Sequence, residues 1–115
     1  MSTENRDPHK AVDYIIANAK KFAKAKAERV YLEEYRKSLK AMCMKKSLAD
    51  GKAKSAAAAE MEAYADESYI EFLKGLEAAT HKEEELRWDL IGAQARVEIW
   101  RTEQANNRAE GKATI

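Results

Sequence analysis

Proline, glycine, cysteine and histidine are nearly missing from this chain: one Pro, four Gly, one Cys and two His among 115 residues. Proline and glycine punctuate turns, so their scarcity excludes a fold of many short strands joined tightly. The single Cys43 excludes an internal disulfide and fits a reducing compartment, where a lone cysteine at helical spacing serves as a small apolar filler. Histidine is too scarce for a triad or a histidine-rich metal site. His81 lies one helical turn from Glu77, Glu84 and Glu85, but a carboxylate-bridged di-metal bundle needs Glu-x-x-His on two helices and His9 is far away. A solvated acidic face is the plainer reading of that group, and no Gly-rich phosphate loop is present. The expectation is a non-enzymatic protein without metal or cofactor. No apolar run approaches the ~20 residues that cross a bilayer, and Met1 to Asp7 is polar, unlike a secretory leader. No membrane contact and a cytoplasmic location are expected.

What the chain has in abundance is alanine, glutamate, lysine, leucine and arginine, the composition of long helices. Charge is segregated: residues 8–54 carry a net +8 and residues 55–115 a net −6, against +1 for the whole. Opposite charge on two helical halves favours their antiparallel pairing and leaves one face basic. The predicted fold is all-α: an elongated antiparallel helical hairpin, coiled-coil-like, with room for a short third helix. Such a shape has little interior, so an oligomeric bundle is expected.

One domain spans 1–115. Asp7-Pro8 predicts a helix start, because Asp caps free N–H groups and Pro at the first position lacks a donor that would be orphaned anyway. Helix 1 is placed at 8–48, with an apolar phase of Val12, Ile15, Ile16, Ala19, Phe22 and Ala23. A second phase of Leu32, Tyr35, Leu39 and Met42 follows after a shift near 27–31 that would mark a bend or a change of partner. The turn at 49–55 holds Asp50-Gly51. Helix 2 is placed at 56–109, with a cap-like Asp66-Glu67-Ser68 that could divide it near 66, and 110–115 form a frayed tail after Asn106, Asn107 and Gly111. Along helix 2, Tyr69, Phe72, Leu76, Ala79, Leu86, Leu90, Ala93, Val97 and Trp100 alternate at three- and four-residue steps, interrupted only by Glu83.

Three constellations stand out. Trp88, Ile91, Ala95 and Ile99, with Gly92 beside them, form a second apolar stripe nearly opposite that seam, and a helix apolar on two faces is normally covered on both. They are the candidate oligomer or partner interface, with burial by a folded-back segment as the alternative. Lys20, Lys21, Lys24, Arg29, Arg36 and Lys37 are candidate nucleic-acid contacts through counterion release, with Tyr14, Tyr31 and Tyr35 among them as stacking sites. A solvated face partly neutralised by helix 2 is the plainer alternative. Finally, Glu83 inside the helix 2 seam is predicted to pair with Lys26, or with Lys20 or Lys24 one turn away, and so to fix register.

The strings Tyr31-Leu32-Glu33-Glu34-Tyr35-Arg36-Lys37-Ser38-Leu39-Lys40-Ala41, Ala63-Tyr64-Ala65-Asp66, Glu84-Glu85-Leu86-Arg87-Trp88 and Ala93-Gln94-Ala95-Arg96-Val97-Glu98-Ile99-Trp100-Arg101-Thr102 resemble a group of small all-helical proteins of tailed phages and prophages. The resemblance spans Val12 to Arg108. It implies a gene among those for replication and recombination, a bacterial host cytoplasm, and a protein or nucleic-acid partner, with no activity or site residues attached. The expected function is an accessory factor in phage DNA replication or recombination that acts by binding. The alternatives are a host-directed inhibitor that docks on a bacterial protein and a structural assembly factor.

Overall fold

The computed structural model describes residues 7–113. Helix is the only regular element among them: α1 Pro8–Ala49, α2 Ala56–Ala65 and α3 Glu67–Ala113, an all-α hairpin. Contacts divide the described residues into a unit of 24–83 and a unit of 7–23 with 84–113.

The helix ends from Asp7 to Asp66 are explained by their caps. Asp7 Oδ1 accepts from the His9 amide at 2.9 Å, and the Asp7 carbonyl accepts from Ala11 at 3.1 Å, which starts α1. At its other end Gly51 takes φ 76°, the left-handed conformation that favours glycine, and the Lys52 and Ala53 amides donate back to the Ser47 carbonyl. Ser55 caps α2 by accepting from the Ala58 amide at 3.1 Å. The break at Asp66 comes from its extended backbone (ψ 133°). Its carboxylate accepts from the Ser68 amide at 2.8 Å and the Ser68 hydroxyl at 2.6 Å, capping α3.

The Ser68 hydroxyl and then the Ser68 amide hold the Asp66 carboxyl below its ordinary value of 3.8. A carboxyl whose folded value is depressed contributes stability above its unfolded value and loses it as pH falls through the folded one. Asp66→Asn should therefore flatten the acid limb of the melting-temperature profile below pH ~4. A profile identical to that of the native chain would show that the cap carries no linkage.

In the unit of 24–83, the inner face of α1 presents Ala25, Arg29, Leu32, Leu39, Cys43 and Ser47, while α2 contributes the fully buried Ala59 and Ala63. The matching face of α3 is Tyr69, Phe72, Leu76, Ala79 and Glu83. Aromatic contacts bind these layers: Tyr35 lies 5.6 Å from Phe72, and Tyr64 meets Tyr69 edge-on at 5.5 Å. In the other unit, Ala11, Ile15, Asn18 and Phe22 form the inner face of α1, with Leu86, Leu90, Ala93 and Val97 from α3.

The structure departs from the sequence expectation at three places. First, α1 is assigned helix without interruption through 27–31, and its inner positions are Ala11, Ile15, Asn18 and Phe22 in one unit and Ala25, Arg29 and Leu32 in the other. Val12 (41% exposed), Ile16 (69%), Ala19 and Ala23 lie outside these positions. Two polar residues occupy seam positions because each is satisfied there: Asn18 donates to the Tyr14 carbonyl at 2.9 Å, and Arg29 meets a carboxylate. Second, α3 runs through Asn106, Asn107 and Gly111 to Ala113, so helix replaces the tail expected from 110; Thr114 and Ile115 lie outside the described residues. Gly111 has no positive φ and so makes no left-handed cap.

Third, Glu83 pairs with Arg29 and not with Lys26, Lys20 or Lys24. Glu83 is 5% exposed, and its two carboxylate oxygens accept from Arg29 Nε and, at 3.0 Å, from Arg29 Nη2. Arg29 lies in the seam, one step after Ala25, whereas Lys26 is exposed beside it. The expected register placed a tight turn between two long helices; α2 intervenes and shifts the level at which α3 meets α1.

Candidate interaction surface

α3 is sided differently along its length. In its first half the face turned away from the seam is charged, with Lys74, Glu77, His81, Glu84 and Glu85. From residue 88 onward the same face carries Trp88, Ile91, Gly92, Ala95, Ile99, Thr102 and Ala105, with Glu98 as its one charge over that stretch. Trp88 is 60% exposed, Ile91 36% and Ile99 59%. Ala95 is exposed and Gly92 half-buried. The five residues of the second stripe are thus brought together on one face and left open by the hairpin. Single exposed apolar residues are ordinary, whereas a contiguous row on one helical face is a candidate contact surface.

The surroundings keep this face accessible. The Arg87 guanidinium lies 4.8 Å from the Trp88 ring centre, while Glu84 holds that guanidinium at 3.2 Å, so the indole is flanked and not covered. Glu98 is drawn sideways to Arg101 at 3.0 Å. A methyl group built at Gly92 would meet nothing within 4 Å. On the flank, the Tyr14 hydroxyl donates to Asp89 at 3.2 Å. Desolvation first, then the Asp89 charge, raises the Tyr14 phenol above its ordinary range.

The candidate nucleic-acid contacts do not form one set. Arg29 is committed to Glu83 and, at 3.0 Å, to Glu33, and Lys37 reaches Glu34 at 3.4 Å. Lys20, Lys21, Lys24 and Arg36 are exposed. Tyr31 and Tyr35 stack on each other at 6.1 Å, and Tyr35 is further occupied by Phe72. Lys40, absent from the expected set, lies over the Tyr64 ring at 4.8 Å and bridges to Glu60 at 3.3 Å; hydrogen bonding to Tyr64 and then to Glu60 raises the affinity of its ammonium for its proton.

Cys43 is buried, with its sulfur 3.6 Å from the Ser68 hydroxyl. It borders an open groove of about 310 Å³ lined also by Lys46, Ser47, Glu62 and Asp66, in which the Ser47 hydroxyl has no hydrogen-bond partner among the described residues. Among the described residues no cluster of three or more His, Cys, Asp or Glu is placed to hold a metal ion, and no helix is long and apolar enough to cross a membrane.

No protein family, no curated protein and no solved structure matches this chain. The surface itself therefore carries the functional argument.

Proposed function

We propose that this protein is a non-enzymatic helical binding module that self-associates through the open face of α3 and acts by holding macromolecules together. The observation that supports this reading is the row of Trp88, Ile91 and Ile99, exposed on the side of α3 opposite its own seam. Covering a large apolar side chain contributes about 1.5–3 kcal/mol, so three of them from each copy suffice to drive association of two otherwise polar helices. The accessory role in phage replication or recombination that the resemblance implies becomes, on this reading, a protein-binding role.

Light scattering behind size exclusion tests it. The native chain should run as an oligomer at tens of micromolar, and Ile91→Asp should split it, since a buried, uncompensated carboxylate costs several kcal/mol, or more than about a hundredfold in affinity. A native chain that runs as a monomer sinks the proposal.

The same reading limits what nucleic acid can do. With Arg29 and Lys37 engaged by carboxylates, Lys20, Lys21 and Lys24, with the neighbouring exposed Lys26, are left as the compact cationic group. Four phosphate contacts give a log–log salt slope of only about −4 and little affinity at physiological salt. Fluorescence anisotropy should show no saturable binding of single- or double-stranded oligonucleotides at ~150 mM salt. Saturable binding that Lys20→Glu, Lys21→Glu and Lys24→Glu together abolish would replace the protein-binding role by a nucleic-acid one.

A further inference from the structure

The open face of α3 is complementary to itself. Trp88, Gly92, Ala95 and Ile99 follow at steps of four, three and four, the spacing of a coiled-coil seam, on the side of the helix that the hairpin does not use. Gly92 is the informative member. Glycine is a poor helix former, and here its φ is not positive and an added methyl group would meet nothing within 4 Å, so nothing within the hairpin requires it. A glycine in the middle of an apolar stripe does allow a second backbone to come close. Gly75, equally open, sits beside the Lys74–Glu71 ion pair and has no such stripe around it.

We infer that the occupant of this face is a second copy of the chain, laid antiparallel so that facing residues have numbers that add to about 187. This rests on the self-association proposed above and specifies its geometry. In that arrangement Gly92 of each copy faces Ala95 of the other at the closest approach, and Trp88 faces Ile99 on both sides of it. The small residues form the crossing point and the large ones close over it.

The flanking charges select this register. Asp89 and Arg96 lie along one edge of the stripe, and in this pairing each Asp89 faces Arg96 of the other copy, so two opposite-charge pairs form. A shift of one heptad in one direction sets Arg96 against itself and Asp89 against Glu103. A shift in the other direction sets Asp89 against itself and Lys82 against Arg96. Parallel pairing sets Glu84 against Asp89 and Glu98 against Glu103. Each alternative juxtaposes like charges, and the antiparallel register centred between Gly92 and Ala95 does not.

A charge-swap series on the full-length chain tests this, read as the dimer dissociation constant by sedimentation equilibrium beside the helix signal in circular dichroism. Asp89→Arg and Arg96→Asp should each weaken the dimer about tenfold, since each replaces two attractive pairs by two repulsive ones, and the double variant should return to within about threefold of the native constant. Gly92→Leu should abolish the dimer while leaving helix content unchanged or higher. A double variant weaker than either single overturns the register while the binding face stands; a native dimer that all four variants, Gly92→Leu included, leave unaltered overturns the face as well. A native monomer overturns both.

Discussion

Arg29→Leu should lower the urea midpoint of the fold, because it takes the guanidinium away from a carboxylate that the seam encloses. Glu83 is the buried partner, its side chain 7% exposed against 23% for Arg29. The two ends of the pair are therefore unequal. Glu83→Leu leaves a cation that still reaches both solvent and Glu33, and should cost less than Arg29→Leu. With both replaced, two leucines fill a seam that already carries Leu32 and Leu86, and the double variant should recover most of the loss, as replacements of buried ion pairs by apolar residues commonly do. Urea unfolding of the four chains gives the cycle. Additive single effects would show that the pair is not coupled. Arg29 itself is pushed well above its ordinary range, chiefly by the Glu83 hydrogen bond, so it stays charged at every pH at which the fold exists.

Enlarging Ala59 and Ala63 should detach α2. Both are 0% exposed, and they are the buried residues of a helix only ten residues long. A helix of that length is marginal in water on its own, so its order depends on the close fit of those two methyl groups. Ala59→Leu and Ala63→Leu should each cost about 1–3 kcal/mol by overpacking, and together they should exceed what the docked position of α2 can absorb. The readout is amide hydrogen exchange, with α2 losing protection while α3 from Leu76 onward keeps its own. Unchanged protection in the double variant would mean that α2 is held by Lys40 and its contacts to Glu60 and Tyr64 instead.

Much of α3 can be read directly from its residues, and much of α1 cannot. Along α3 every seam position from Tyr69 to Val97 is apolar apart from Glu83, so periodicity alone finds the face, and the one exception announces an ion pair. Along α1 the seam includes Asn18 and Arg29, while Val12, Ile16 and Ala19 lie beside it. Counting apolar residues there selects a phase one residue out, since polar atoms with partners are as acceptable in a seam as methyl groups and a sequence does not display the partners. The same blindness transferred the partner of Glu83 from Arg29 to Lys26, its near neighbour with the same charge. The C-terminal stretch misled for a different reason: Asn and Gly weaken a helix by at most about 1 kcal/mol each, too little to stop one already propagating. The exposed stripe was legible because Trp88, Ile91, Ala95 and Ile99 lie opposite a seam that is itself unambiguous. That Gly92 is unused inside the hairpin was not, because open space beside a glycine is a property of the fold.

The placement of aromatic side chains gives this molecule two independent optical reporters. Trp88 and Trp100 are the only indoles in the chain, and both fall in the contact unit that contains the exposed apolar stripe, exposed by 60% and 39%. Four of the five tyrosines, Tyr31, Tyr35, Tyr64 and Tyr69, fall in the other unit, coupled in stacked and edge-on pairs, while Tyr14 lies with the tryptophans. Excitation at the red edge of the absorption band therefore follows one unit alone, and its emission should shift to shorter wavelength on dilution-reversible association. The near-ultraviolet dichroism of the two coupled tyrosine pairs follows the other, and Tyr14→Phe removes the one tyrosine that lies with the tryptophans. One sample, without labels, can thus distinguish a chain that has come apart from its neighbour from a chain that has come apart within itself.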